Sequence, residues 1–586
     1  MSTLFQSFAQ TFTDIANAIR STTGLESVAG GSGQYKITEL HQDINQIYTK
    51  KEFERIINRT VSKFYNRKVS IVGEAAFRTC TSLSTVSLPN ATTIGSYAFY
   101  RCSSLSTVSL PNVSYIGDSA FYDIDLTTVD LPNVTYIGNN AFQYCIYLST
   151  VSLPNVSYIG DQAFEYCTSL STVSLPNATS IGASAFGNCE SLSIVSLPNA
   201  TYIGSWAFGY CESLSTVNIP NVTTISNNAF YDCISLSIVS LPNVSYIGDE
   251  AFQFCESLST VSLPATTVGE YAFADCTNLV DVTLPNATTI ADTTFNNSPI
   301  RTLSLNSYID SRIITGGHPL IAGMNSYLQK LYIPRMPFKI TNTTYSSFPY
   351  LTELDVGSLT ATAVPTFKLD RLTIWDMPAI SSGMTLNWKN AEIYSLYFSS
   401  NVQSISAYAF AGATYIEDVY GDGVQYIAEY AFSTCSKLKV AQFNDATRVR
   451  GYAFYSCSKL SSISFPNVES LGTCAFASCV NLSSIQRFNN LKIIGSSAFI
   501  NCPTISRIYL AKVESIGRSA FSGCIQLRNV YILNPSSICS LYSSTVFINC
   551  PNLKAIYVPS DLVGVYQAAS GWSKLSSKIK SYTAGA

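Results

Sequence analysis

A period of 22 residues runs through most of this chain and leaves few folds open to it. The stretch Leu170–Ser191, LSTVSLPNATSIGASAFGNCES, is followed at Leu192 by a copy carrying the same signature. The recurring positions are Leu170, Val173, Leu175, Pro176, Asn177, Ile181, Gly182, Ala185, Phe186 and Cys189. The phenylalanines keep the beat at Phe77, Phe99, Phe121, Phe142, Phe164, Phe186, Phe208, Phe230, Phe252, Phe273 and Phe295, in steps of 22 or 21 residues, and again from Phe410 to Phe547. A unit this short cannot bury its own apolar face, so copies must stack and share one core, which is a solenoid.

Each unit reads as one coil. In T-V-S-L the apolar residues alternate, so Val173 and Leu175 face in while Thr172 and Ser174 face out. Pro176 has no N–H for a ladder and ends the strand, and Asn177 suits the turn that follows. Ile181, Ala185, Phe186 and Cys189 fill the remaining interior. The Gly182 position is taken by Ser226, Ala291, Ala428 and Arg450 in other copies, so it reflects close packing rather than a need for positive φ. Between Phe295 and Phe410 the Ala-Phe pair is lost, yet the strand half persists in IRTLSL, LQKLYIP, LTELDV, LDRLTI and IYSLYF. The expectation is one solenoid of about 22 coils with a degenerate middle.

This signature, LxxVxLPNxxxIGxxAFxxCxx, resembles the BspA-type leucine-rich repeat family over roughly residues 70 to 560. The resemblance implies an α/β repeat fold, a leucine-rich-repeat β-solenoid or horseshoe, used for adhesion and recognition and not for catalysis. The closing segment IYVPSDLVGVYQAASGWSKLSSKIK resembles the usual end of that family, with Tyr566, Trp572, Leu575 and Ile579 folding over the last coil as a C-terminal cap.

The N-terminus is different. Phe5, Phe8, Phe12, Ile15 and Ile19 form a two-heptad apolar stripe. They read either as a helix lying on the rest of the chain or as an oligomerisation and docking helix. GGSG at 30–33 is a flexible break, and Ile37, Leu40, Ile44 and Ile47 mark a second helix. A third starts at Thr49–Glu52, a capping box. The phrase IANAIRSTTG followed by KITELHQDI is similar to an N-terminal module of tail-associated structural proteins of bacteriophages. That resemblance implies a virion component assembled in the host cytoplasm, joined to other tail proteins by its N-terminal helices and forming a homo-oligomer. The expected organisation is a small helical module over 1–66, regular repeats over 67–299, degenerate repeats with longer loops over 300–400, repeats over 401–558 and the cap over 559–586.

Composition narrows the partners. A net charge of −3 with 12% charged residues points away from nucleic acid and anionic membranes. No apolar run reaches the roughly 18 residues of a membrane span, and MSTLFQSFAQTFTDIANAIR lacks the basic and apolar regions of a secretory signal. The expectation is a chain that stays in the cytoplasm or leaves it as part of a particle; the tail-protein resemblance implies a virion, with a bacterial cell surface as the alternative. Of the 17 cysteines, most fall three residues after the phenylalanine, and Ile124, Ser298 and Ala413 replace them elsewhere. A site that tolerates isoleucine and alanine is a small buried apolar site, so free core thiols are expected, with disulfides or metal as lesser readings.

Chemistry is poorly represented. The only histidines are His41 and His318, so a Ser-His-acid site has almost nothing to draw on. Glu353 and Asp355 share a strand face but read as a solvated pair. No enzyme activity, metal or cofactor is expected. The recurring Asn-x-Ser/Thr reads as a turn residue beside a polar loop. Tyr115, Tyr136, Tyr158, Tyr202 and Tyr246 form one ladder, read as strand edge or sugar contact. The more informative row is the outward position of Ser174, which in the second half becomes Tyr332, Asp355, Tyr397, Tyr420, Tyr509, Tyr531 and Tyr557. With Trp375 and Trp388 from the degenerate region, these are the candidate ligand-binding face, facing a host cell-surface glycan or protein. Tyrosine offers rigid contact area at low entropy cost.

Overall fold

The computed structural model describes residues 59–305, 314–315, 327–340, 350–361, 368–375, 391–534 and 537–582. The N-terminal stripe of Phe5, Phe8, Phe12, Ile15 and Ile19, the helices expected after it, both histidines and Trp388 lie outside these residues. The chain forms two compact units, Met1–Arg301 and Thr302–Ala586. Both are parallel β-solenoids, with about 21 turns in all. Among the described residues helix is confined to the short cap segment Val563–Ala568 and two 3-10 turns beside it, so the return half of each coil is built from turns.

In the first unit every coil carries two strands. Thr172–Ser174 pairs in parallel with Ile194–Ser196, placing Val173 beside Val195. Ser180–Ile181 belongs to an eleven-stranded parallel sheet running from Ile71–Val72 to Thr289–Ile290. The third side of the coil is also zipped to its neighbour. The backbone N–H groups of Ser184, Phe186 and Asn188 each donate to a carbonyl of the next coil, Ser205, Ala207 and Gly209, at 2.8 Å. Ser184 and Asn188 reach this geometry only by adopting φ of 51° and 58°. Left-handed backbone costs a non-glycine residue on the order of 1 kcal/mol, and the inter-coil hydrogen bonds offset it. Two such residues recur in nearly every regular coil, and most are not glycine.

The core copies itself at the coil spacing. Phe164, Phe186 and Phe208 stack at 5.3 and 5.5 Å between ring centroids, within 4° of parallel, and the file continues from Phe77 to Phe295. In the second unit the same file runs from Phe410 to Phe547. Each ring is buried, a gain of about 1.5–3 kcal/mol. The cysteines do more than fill space. The Cys189 thiol donates to the Phe164 carbonyl at 3.3 Å, and the arrangement repeats along both units. Where Ser298 replaces cysteine, its hydroxyl donates to the equivalent Phe273 carbonyl at 2.7 Å. All 17 cysteines are free thiols, sixteen of them buried and Cys474 half-buried. Burial pushes Cys145 and Cys211 up to about 12.

The polar positions that look bland in sequence are equally fixed. Asn177 donates its side-chain amide to the Pro154 carbonyl of the preceding coil at 2.7 Å, and Asn199 does the same to Pro176. Thr179 and Ser171 donate their hydroxyls to Ser157 and Ser149 one coil back. These ladders explain the Pro-Asn-x-Ser/Thr run without a glycan. A Cβ on Gly182 would sit 2.5 Å from the Gly160 carbonyl carbon. That is the close approach the sequence implies; the atoms in the way are backbone of the preceding coil, so a side chain here requires that backbone to move.

The second unit departs from the regular coil before returning to it. Its strands lengthen to Lys330–Ile340, Glu353–Ala361, Lys368–Ile374 and Glu392–Phe398. Partners in register at 304, 332, 355, 373, 397 and 420 define coils of 18 to 28 residues. The register shifts between Ile333 and Pro337, where proline has no N–H for the ladder. From Ser404–Ile405 onward the regular coil returns. At the end, Ile579–Ser581 adds a last parallel strand to Ala555–Val558. Trp572, fully buried, donates its indole N–H to the Cys539 carbonyl at 2.6 Å, and Cys539 N–H donates to the Tyr566 hydroxyl at 2.8 Å. Tyr566, Trp572 and Ile579 cap the core as expected, and Leu575 is only half-buried.

Phe186→Ala removes one ring from a continuous file and should cost about 3–5 kcal/mol, read as faster amide hydrogen exchange in the coils from 164 to 208 of the full chain. Cys189→Ser should cost only about 1 kcal/mol, since serine keeps the hydrogen bond. A maleimide or disulfide reagent applied to the folded protein should label Cys474 and reach the other sixteen thiols only after denaturation; several fast-reacting thiols in the native state would contradict the buried ladder.

Candidate recognition face

The long strands of the second unit carry two outward rows. One runs through Ser304, Tyr332, Asp355, Thr373, Tyr397, Tyr420, Gln442 and Ser464, each in register with the next. The other, two residues earlier, runs through Thr302, Lys330, Glu353, Arg371, Ser395 and Asp418. Further along, Tyr509, Tyr531, Tyr557 and Lys580 form a third registered row. The sequence-predicted tyrosines therefore do stand in rows, in two separate groups. Trp375 is at the margin of the first group and 37% exposed.

The first group is charge-compensated. Lys330 Nζ lies 2.8 Å from Glu353, and the Tyr332 hydroxyl donates to Glu353 Oε2 at 2.7 Å. Arg371 reaches Glu353 at 4.0 Å and Asp355 at 3.9 Å, and its guanidinium carbon sits 5.1 Å from the Tyr397 ring centroid. Tyr397 stacks on Tyr420 at 4.9 Å. Desolvation pushes the Glu353 carboxyl up, but hydrogen bonds from Lys330 and Tyr332 and the nearby cations outweigh it and leave its pKa below the usual carboxylate range. Asp355 goes the other way: burial raises it, against the weaker pull of Thr373, Arg371 and Trp375. The solvated pair expected at Glu353 and Asp355 is corrected here, because Asp355 is only 8% exposed. Its Oδ1, together with Arg371 Nε and Thr373 Oγ1, is buried without a hydrogen-bond partner among the described residues.

The second group is a continuous aromatic file. Tyr509, Tyr531 and Tyr557 stack at 4.4 and 4.9 Å, within 13° of parallel, with Tyr582 edge-on to Tyr531. Arg487 covers the free side of Tyr509 at 4.6 Å. In such files the ring faces are spent on one another, so what points outward is ring edge and phenolic hydroxyl. That geometry suits hydrogen bonding and edge contact more than face-on sugar stacking. In the first unit Tyr115, Tyr136 and Tyr158 stack in the same way, whereas Tyr202 and Tyr246 are in register with Ser180 and Thr224 on one side, which interrupts the file.

Sequence reading missed two features. An aromatic ridge lies on the turn side of the first unit, linking Tyr100, Tyr122, Tyr144 and Tyr166 ring to ring, with Arg78 and Arg101 against Tyr100. Tyr100 and Tyr122 follow their phenylalanines by one residue and Tyr144 and Tyr166 by two, which hides the ridge from a fixed-position scan. The cations around Tyr509–Tyr557 were also missed, because net charge was taken over the whole chain. Among the described residues there is no group of three or more His, Cys, Asp or Glu side chains that could hold a metal, and no helix long and apolar enough to cross a membrane.

The stacked parallel coils define a leucine-rich-repeat solenoid. The family described as BspA type leucine rich repeat region (6 copies) matches residues 70–193, 179–301, 385–467 and 447–574, well over half the chain, and the protein belongs to it. Among solved structures, a leucine-rich repeat protein from Bacteroides ovatus is 22% identical, with 70% of this chain and 92% of that chain covered and a TM-score of 0.27. The leucine rich repeat protein of T. pallidum is 32% identical over 30% of this chain and 77% of its own, with a TM-score of 0.24. A leucine rich cell surface protein from Faecalibacterium prausnitzii is 19% identical, covering 79% and 89%, with a TM-score of 0.20. No curated protein matches.

The raised pKa of Asp355 means that the folded state resists its ionisation. The penalty is absent below the unfolded pKa, near 3.9 for a free aspartate, and complete above the folded one. Asp355→Asn should therefore gain stability relative to wild type as pH rises from about 4 to 8, measured as the difference in urea midpoint; a pH-independent difference would contradict the burial.

Proposed function

We propose that this leucine-rich-repeat protein is a non-enzymatic adhesion protein that binds a cell-surface glycan or protein through the strand face of its second unit. The observation carrying this reading is the change at one outward coil position, from serine and threonine in the rows of the first unit to stacked tyrosine in two rows of the second. Short, hydroxyl-bearing outward residues such as Thr172 and Ser174 form a neutral surface, and ordered tyrosines supply contact area without a large loss of side-chain freedom. Individually weak contacts gain strength when several copies act together.

Carriage on a bacteriophage particle is the finer part of the proposal. It rests on the resemblance of IANAIRSTTG and KITELHQDI to tail-associated proteins. In this reading the helices bearing Phe5, Phe8, Phe12, Ile15 and Ile19 dock to other tail proteins and oligomerise, and the repeats face the host. A bacterial cell-surface adhesin, or an intracellular protein-binding scaffold, would use the same face without the particle.

Particles purified on a density gradient should contain this protein at a fixed ratio to capsid protein by mass spectrometry; recovery only from envelope or cytoplasm would refute the virion part. Tyr397→Ser with Tyr420→Ser, and Tyr509→Ser with Tyr531→Ser, should each lower binding of the full chain to susceptible cells about tenfold or more, in line with hot-spot tyrosines. Unchanged binding in both variants would refute the face itself.

A further inference from the structure

The near-neutral total charge hides a strong partition. Residues 102–300 contain sixteen Asp and Glu and no Lys or Arg, while residues 437–580 contain fifteen Lys and Arg against four Asp and Glu. In the first unit most of these acids lie on the turn segments, from Asp118, three residues before Phe121, to Glu190, Glu212 and Glu256, four residues after their phenylalanines.

Within the second unit the excess cations gather around one tyrosine file. Arg507 is exposed on the strand Arg507–Leu510, two residues before Tyr509, so both point outward. Arg487 lies against the Tyr509 ring. Arg528 and Lys554 are exposed at the entrances of the next two strands, immediately before Asn529–Ile532 and Ala555–Val558. Lys580 is exposed and in register with Tyr557. The acids nearest in sequence are Glu514 and Asp561, and neither lies on these strands. The ion pairs of the described residues leave all five of these cations uncompensated. The Tyr397–Tyr420 group is the opposite case, with its cations paired to Glu353 and Asp355.

We infer that the Tyr509–Tyr531–Tyr557 file with Arg487, Arg507, Arg528, Lys554 and Lys580 is a binding site for an extended, hydroxyl-bearing acidic polymer of the polysaccharide or polyol-phosphate kind, held by its carboxylate or phosphate groups. This rests on the reading of the strand face as the recognition surface and names the ligand class for one end of it. One cation falls on each of five successive coils, Arg487 and Lys580 in the tyrosine row and Arg507, Arg528 and Lys554 two or three residues before it; with coils about 4.8 Å apart, one extended chain can touch several of them at once. Tyrosine edges and hydroxyls hydrogen-bond to sugar hydroxyls, while the cations hold the acid groups. The acidic first unit repels the same polymer and confines it to the second. Because much of the affinity comes from displaced counterions, binding weakens steeply with salt.

The test uses the full-length chain with four immobilised probes: alginate, poly(glycerol phosphate), neutral dextran and oligothymidylate. Retention on alginate or poly(glycerol phosphate) at low salt, loss in high salt, and no retention on dextran are expected. The triple variant Arg507→Gln, Arg528→Gln, Lys554→Gln should lose binding at least tenfold. The charge-preserving Arg507→Lys, Arg528→Lys pair should keep it, and Lys63→Gln, at an exposed lysine of the first unit, should leave it unchanged. No retention on either acidic polymer, equal retention on dextran, or indifference to the triple variant would overturn the site. Equal or tighter binding of oligothymidylate would overturn the hydroxyl-bearing polymer assignment in favour of nucleic acid. Salt-sensitive self-association of the chain in place of polymer binding would show the basic coils to be occupied by the acidic coils of a second copy. Polymer binding lost while cell binding still depends on Tyr397 and Tyr420 would sink this inference and spare the adhesion reading; loss of cell dependence on both tyrosine pairs would sink that reading first.

Discussion

Every coil depends on hydrogen bonds that it cannot make alone. A 22-residue turn with two very short strands leaves most of its N–H and C=O groups without partners inside the unit, and a buried unpartnered amide is costly. The next coil supplies those partners on each side: the Val173 strand, the Ile181 strand and the left-handed turn around Ser184 and Asn188. Register between neighbours is therefore strict, and it copies each side chain onto its counterpart. Phenylalanine then stacks on phenylalanine, asparagine reaches the preceding proline carbonyl, and thiol reaches the preceding phenylalanine carbonyl. The backbone constraint comes first, and the side-chain ladders are what it makes possible.

The same constraint shapes what the surface can do. Side chains at one coil position stand in a row, so the composition of a row acts as a unit. In the first unit the rows through Ser171 and Thr179 are used up in hydrogen bonds to the coil behind, and the rows through Thr172 and Ser174 present short exposed hydroxyls. The tyrosine rows of the second unit spend their faces on one another and offer edges and hydroxyls. Rows also separate charge: in the Tyr332–Tyr420 group, acids and bases alternate across strands and neutralise one another, whereas around Tyr509–Tyr557 no carboxylate intervenes. Recognition in such a protein is decided by which residues a row contains and by what stands in the adjoining row.

Much of this was legible in the primary structure because repetition turns a weak local signal into a strong one. The beat of Phe77 to Phe295, the inward Val173 and Leu175 and the close-packed Gly182 follow from spacing and residue type alone, and the capping role of Trp572 follows from the resemblance of the closing segment to the family's usual end. The role of cysteine was half legible: replacement by Ile124 and Ala413 reveals a small apolar site, but the thiol donor shows only in the fold, where Ser298 takes over the same hydrogen bond. The left-handed residues were not legible, since Ser184, Asn188, Trp206 and Glu250 share no side-chain chemistry and only the backbone path compels them.

The sequence by itself determined the repeat, the inward and outward faces of each strand, the family and the place where tyrosine replaces serine, because each of these depends only on which residue occupies which phase of the period. Tertiary structure decided the rest. It buried Asp355 while leaving Glu353 paired, set Arg371 against Tyr397, and brought Lys580 from the closing segment into line with Tyr557. Those outcomes depend on coils of 18 to 28 residues being drawn into one register, and phase along a chain carries no information about neighbours whose spacing is irregular.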